Sequence, residues 1–130
     1  IGKSDPSTIV SGTVTSQDSV FGLTNLETQA GLIRIPGIKV PPGSPIRLRL
    51  HARNISIALS KPQDISVLNV LPGVIESIEK IDTSTVDVKI RLATQLTIDA
   101  RITTLAHQNL NLAIGTSVFA LIKSVAVDRF

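Results

Sequence analysis

Two stretches of this chain overlay one another at a constant offset. Gly43-Ser-Pro-Ile-Arg-Leu-Arg-Leu-His-Ala-Arg-Asn-Ile55 and Gly115-Thr-Ser-Val-Phe-Ala-Leu-Ile-Lys-Ser-Val-Ala-Val127 match in class at their apolar positions. Gly12-Thr-Val14 overlays Gly73-Val-Ile75 at a shorter offset, and a helical segment in the second half accounts for most of the difference. Such self-similarity identifies a tandem duplication of a five-strand unit. A unit of that size buries too little apolar surface to stand alone, so it closes its core on its twin or on another chain. The reading divides the 130 residues into a first unit over 1–63 and a second over 64–130, and strand exchange between units or chains is compatible with it.

Residue type and period both specify sheet. Hydrophobic residues make up 42% of the chain, yet only Phe21, Phe119 and Phe130 are aromatic, so Ile, Val and Leu supply the apolar mass. β-Branched side chains suit a pleated, half-buried surface. Ile46, Leu48 and Leu50 fall on one face and Arg47, Arg49 and His51 on the other, and the same alternation recurs over 86–92 and 96–102, which pair as an antiparallel hairpin around the turn at 82–84. After a polar tether over 1–7, strands are expected over 8–17, 20–26 and 30–35, with a turn at 16–19 and a proline-rich connection over 41–45. Strand 46–51 resumes at Ile55, Ile57 and Leu59 after a break, and the irregular spacing over 70–81 around Pro72-Gly73 predicts a bulged strand. The spacing predicts one helix, over 105–111, capped by Thr103 or Thr104. Gly115 then turns the chain into a last strand over 118–122, apolar on both faces and so expected to be buried throughout.

Composition excludes several functions. Without Cys there is neither a disulfide framework nor a thiolate metal site, and the two His, His51 and His107, sit in no triad or metal-ligand spacing. No P-loop is present, so this chain by itself is not expected to hydrolyse ATP; no catalytic residue is assigned. Arg47, Arg49 and Arg53 form a basic stripe, but single-strand nucleic-acid binders stack bases on aromatic platforms and the chain has no Trp or Tyr. No apolar run is long enough for a membrane span. The chain begins at Ile1 and contains no Met, which reads as a piece of a longer protein.

Lys123 and Ser124 follow the last strand directly and place a cation and a hydroxyl close in sequence to the start of a helix. A net charge of +3 and a pI near 9.7 suit a small anion. Each residue also has a plain structural role: a strand-end Lys and turn Ser for this pair, turn capping for Ser66 and Asn69, and an N-cap for Thr103.

The second half resembles the Mop/TOBE oxyanion-binding family. Ser66-Val-Leu-Asn-Val-Leu-Pro-Gly73 keeps the Ser, Asn and Gly of that family's entry motif. Ile102-Thr-Thr-Leu stands where the family has its helix start, and Leu121-Ile-Lys-Ser-Val125 matches its close. Arg47-Leu-Arg-Leu-His-Ala-Arg-Asn-Ile-Ser-Ile-Ala-Leu59 extends the resemblance to the tail of molybdate-importing ABC transporter ATPases. The resemblance implies a mainly all-β fold of two tandem OB-like five-stranded barrels, with one short helix in the second. It also implies oxyanion contacts from Ser66, Val67, Asn69, Thr103, Lys123 and Ser124. Molybdate or tungstate is then the ligand, with no other cofactor and no metal ligand from the protein. The implied partners are a second copy of the chain and an ATPase domain. The implied location is the cytoplasmic face of the inner or plasma membrane, reached through the permease. Two positions depart from the family: Leu68 stands where binding members carry Arg, and Ala106 where they carry Ser, each removing a donor. In the first half His51-Ala52 replaces Lys-Ser and no Ser-x-x-Asn occurs near Thr8, so that pseudo-symmetric site reads as vestigial. The alternative function is a structural dimerisation module whose oxyanion site has decayed.

Overall fold

Alternation in the sequence becomes antiparallel pairing in the structure, a computed structural model that describes residues 5–129. Most of the expected polar tether, together with Phe130, lies outside the described residues. In the first half β1 (Ser7–Asp18) pairs with β2 (Leu23–Thr28) on one side and β4 (Pro45–His51) on the other, and β3 (Gly31–Pro36) continues beyond β2. In the second half β6 (Asn69–Lys80) pairs with β7 (Thr85–Leu92) and β9 (Ser117–Ile122), with β8 (Thr97–Thr103) beyond β7. Each sheet takes its fifth strand from the other half: β5 (Ile55–Ala58) pairs with β9, and β10 (Ala126–Arg129) pairs with β4. The resulting orders are β10-β4-β1-β2-β3 and β5-β9-β6-β7-β8. This is an all-β fold of two curled, OB-like five-stranded sheets with one short α-helix, α1 (Thr104–Leu110). Because each half donates a strand to the other, neither sheet is complete from its own half alone.

The halves match in backbone detail. Both β1 and β6 are twelve residues long and bulged, between Val14 and Ser16 in one and between Ile75 and Ser77 in the other. Val14 N donates to Ser44 O at 2.9 Å and its carbonyl accepts from Gly43 N at 2.7 Å; Ile75 does the same with Thr116 O at 3.0 Å and Gly115 N at 2.8 Å. Gly43 and Gly115 both sit at φ +92°, a left-handed conformation that L side chains rarely adopt. Gly73 is required by crowding instead: a Cβ there would lie 2.6 Å from Ile90 Cγ2 and 2.8 Å from Arg91 O.

The core is aliphatic, built from inward residues such as Val10, Leu26, Ile33, Leu48, Ile75, Val88, Ile98 and Ile122. Each fully buried Leu, Ile or Val contributes about 1.5–3 kcal/mol relative to exposure. Four expectations need correction. β9 is buried only at Val118, Ala120 and Ile122, because Phe119 and Leu121 point to its other, half-buried face. It is also not the last strand, since β10 follows. β1 runs on through Asp18, and the turn falls over 19–22, where Asp18 Oδ1 accepts from Val20 N and Phe21 N at 2.9 and 3.1 Å; Val20 is therefore in the turn and not in β2. The overlay of the two halves also slips near its end. Val127 stands opposite Leu48 as Ile57 stands opposite Ala120, so the connection after β9 is shorter than the 3₁₀ turn over Ala52–Asn54.

Candidate functional site

Register brings the candidate residues together. Asn69 opens β6 directly opposite Ile122, the end of β9, so the segment 66–68 and Lys123 leave the sheet side by side. From Asn69 the first half is drawn in as well. Its carboxamide oxygen accepts from Arg34 N at 2.8 Å and its NH₂ donates to Arg34 O at 2.8 Å, clamping the backbone of β3 against the start of β6. The result is a cleft of about 220 Å³ between the halves, lined by Arg34, Ser66, Val67, Asn69 and Lys123, with Leu23, Pro36, Leu68 and Ile122 as apolar wall. At about 30 Å³ per water, it has room for a tetrahedral anion and part of its hydration shell.

Its charge is one-sided. No Asp or Glu lines it, and neither Arg34 nor Lys123 forms an ion pair among the described residues. Several cations elsewhere are paired: Arg49 with Asp128, Arg53 with Asp5, Lys89 with Asp99, Arg91 with Glu76 and Arg101 with Asp87. The backbone N–H groups of Ser66 and Val67 and the Ser66 hydroxyl make no hydrogen bond to another described residue. Two unpaired cations beside unengaged neutral donors are chemically suited to an anion that only accepts hydrogen bonds.

Of the residues singled out in the sequence, Ser66, Val67, Asn69 and Lys123 line this cleft, although the Asn69 amide is committed to Arg34. Ser124 is exposed next to Lys123 and does not line it. Thr103 lies elsewhere: it pairs with Thr85, beyond the hairpin that follows the far end of β6, and its hydroxyl accepts from Ala106 N at 3.0 Å as the N-cap of α1. Arg34 was not legible as a site residue. In sequence it is one polar position in an alternating strand, and only the Asn69 clamp carries it to the cleft. A larger groove of about 330 Å³ beside β6, β7 and β9, lined by Pro72, Leu92 and Phe119 among others, is mainly apolar, and its Arg91 is paired with Glu76 at 3.5 Å.

Comparison with known proteins identifies the family and the fold. Residues 65–128 match the TOBE domain model. Over 116 residues the chain is 41% identical to the molybdenum import ATP-binding protein ModC of Mesorhizobium japonicum, covering 89% of this chain and 31% of that protein. The ModC of Paramagnetospirillum magneticum is 36% identical over 128 residues, covering 98% and 35%. That of Vibrio cholerae is 35% identical over 129 residues, covering 97% and 35%. The chain thus spans about a third of the length of these relatives. Among solved structures, molybdate-bound ModG, a cytoplasmic molybdate-binding protein, superposes with a TM-score of 0.77 at 18% identity over 92% of this chain and 95% of that one, which shows the shared fold.

Proposed function

We propose, from the premise that residues 65–128 belong to the TOBE-domain family, that this chain binds molybdate or tungstate and acts as a regulatory and dimerisation domain of a molybdate-importing ABC transporter ATPase. The observation that carries the reading is the pair of unpaired cations, Arg34 and Lys123, facing one cleft with the unengaged donors of Ser66 and Val67. The oxyanion is held through its oxygens, so the protein supplies hydrogen bonds and positive charge and no ligand to the metal. A donor-only site favours anions that are fully deprotonated near neutral pH. Hydrogen phosphate keeps a proton that needs an acceptor, and sulfate, a smaller tetrahedron than molybdate, is expected to span the same donors less well. Thr103 lies away from the cleft of its own chain, so its contribution comes from a second copy, with the anion near the interface.

This reading assigns nucleotide hydrolysis to a separate ATPase domain and places the tail at the cytoplasmic face of the membrane through its permease partner. No helix among the described residues is long and apolar enough to cross a membrane. If two tails pair, an anion bound where they meet favours one spacing of the attached ATPase domains over the other, to the extent that it binds the two spacings differently. Excess molybdate then slows import.

Calorimetric titration with molybdate, tungstate, sulfate and phosphate tests the reading. Molybdate and tungstate bind, the other two bind more weakly, and Lys123→Ala loses at least tenfold in affinity. Equal affinity for all four anions, or no binding, leaves a structural dimerisation module in its place. Molybdate-dependent inhibition of the assembled transporter's ATPase, absent in Lys123→Ala, tests the regulatory half.

A further inference from the structure

The duplicated fold has a second place equivalent to the cleft, and strand register locates it. Thr8 stands opposite Leu50 as Asn69 stands opposite Ile122, so Asp5, three residues before Thr8, corresponds to Ser66, and His51 corresponds to Lys123. On the other wall, Leu23 opposite Pro36 corresponds to Asp87 opposite Arg101, and Arg34 opposite Asn25 corresponds to Asp99 opposite Lys89. The packing repeats too: β3 lies on β6, and β8 lies on β1.

What fills this second place is the protein's own negative charge. Asp5 Oδ1 accepts from the backbone N–H of Arg53 at 3.0 Å, and Oδ2 from Arg53 Nη1 at 3.2 Å. His51 Nδ1 lies 3.6 Å from the same Oδ2. The Asp5 side chain is only 15% exposed. Arg101, held bidentately by Asp87 at 2.7 and 2.9 Å, also feels the Asp5 charge. The remaining acids nearby are paired, Asp99 with Lys89 at 3.4 Å and Asp128 with Arg49 at 3.2 Å.

We propose that the Asp5 carboxylate is the resident anion of a second, latent oxyanion site, standing where the open cleft takes its ligand from solution and leaving the chain with one site instead of two. The donors that meet Asp5, a backbone N–H and a guanidinium, with an imidazole 3.6 Å away at the end of a strand, are of the kind an oxyanion needs. What excludes a free anion is a covalently tethered carboxylate already seated on them, whose effective concentration is set by a short stretch of chain. One residue separates the two states, because Ser at this position is what the open cleft has.

The proposal rests on the preceding reading only for its choice of molybdate as probe. The test is titration of wild type, Asp5→Ser, Lys123→Ala and the double variant Asp5→Ser/Lys123→Ala. Asp5→Ser is expected to bind one more molybdate per chain than wild type, and the double variant is expected to keep the added site when the first is lost. In thermal melts at matched ionic strength, molybdate or sulfate raises the Tm of Asp5→Ser by several degrees more than it raises that of wild type. If wild type binds no molybdate and Asp5→Ser does, the reading of the open cleft fails and the latent site stands. A folded Asp5→Ser chain that gains neither stoichiometry nor anion-dependent stability overturns the proposal. Should Asp5→Ser not fold, Asp5→Thr, which likewise removes the carboxylate from Arg53 N, is measured with the same outcomes.

Discussion

The carboxamide of Asn69 forms a two-hydrogen-bond ring with the backbone of Arg34, both bonds at 2.8 Å, although the residues belong to different halves of a duplicated chain. An amide is suited to the task because it carries a donor and an acceptor in one plane, matching the N–H and C=O of a strand edge. The clamp links fold to site: it anchors β3 against β6 and fixes the backbone from which the Arg34 side chain reaches the cleft.

Asn69→Ala is therefore expected to destabilise the chain by about 1–2 kcal/mol, two hydrogen bonds at roughly 0.5–1.5 kcal/mol each with allowance for water access. Asn69→Asp keeps the acceptor, loses the donor and sets a negative charge in the cleft, so it lowers anion affinity more than it lowers stability. Urea denaturation and anion titration of both variants separate the two roles. An Asn69→Ala chain with wild-type stability would show that β3 needs no such anchor.

Gly73→Ala places a Cβ 2.6 Å from Ile90 Cγ2 and 2.8 Å from Arg91 O, contacts that require β6 and β7 to move apart. Overpacking of this kind costs about 1–3 kcal/mol. Gly12→Ala meets Glu27 O and Thr28 Cγ2 at 2.8 Å each and should cost a similar amount, as the duplication requires. A thermal melt in which only one of the two variants is destabilised would count against equivalence of the halves at this position.

The hairpin between β6 and β7 carries a pH signature. The Ser84 N–H donating to Asp82 Oδ1 at 3.0 Å holds the Asp82 carboxyl below its ordinary value of 3.8, with smaller help from the Ser84 and Thr85 hydroxyls. A depressed carboxyl stabilises the fold above its unfolded value, and that contribution is lost as pH falls through 3.8 towards the lower folded value. Asp82→Asn keeps an acceptor and does not titrate. The stability gap between wild type and Asp82→Asn should thus narrow between about pH 5 and pH 3, measured by denaturant unfolding. A gap unchanged over that range would remove the turn carboxylate from the account.

A pair of chains is expected in solution, because Leu68, Leu105 and Ile114 are 59, 66 and 72% exposed. Light scattering should give twice the chain mass, and Leu105→Glu with Ile114→Glu should shift it towards the monomer. A wild-type monomer at micromolar concentration would end the dimer proposal.

Most of the fold was legible because it is local. Period-two alternation over Ile46–Leu50 and Val86–Leu92, the glycines that recur at Gly12/Gly73 and Gly43/Gly115, and Thr103 as an N-cap are written into short stretches. The exchange of β5 and β10 was not, since a strand's own pattern says which face is buried and not which neighbour it pairs with. β9 misled for a related reason. Phe119 and Leu121 are apolar, so sequence alone does not distinguish a strand buried on both faces from one whose second face is half covered. Of the cleft-lining residues, Ser66, Val67, Asn69 and Lys123 were readable from a motif and a strand end, whereas Arg34 meets Asn69 across the two halves and Asp5 meets Arg53 from 48 residues away, contacts that no linear spacing encodes.

Arg34 also bears on the departure at Leu68. Where the resembling family carries Arg, this chain has an exposed Leu, yet Arg34 lines the same cleft from β3 of the other half. If Arg34 supplies the missing charge, Arg34→Ala should weaken molybdate binding about tenfold to a hundredfold, the range for losing a charge-assisted hydrogen bond worth roughly 1.5–3 kcal/mol. Leu68→Arg should restore much of that loss in the Arg34→Ala background, while adding little to wild type, where a second guanidinium repels the first. The double-mutant cycle therefore shows a non-zero coupling between the two positions in place of additivity. Titration at two ionic strengths separates direct contact from general attraction, since a long-range effect is screened beyond a Debye length of about 8–10 Å. If Arg34→Ala binds molybdate as wild type does, the cation in the cleft is a bystander and Lys123 with the Ser66–Val67 donors holds the anion alone.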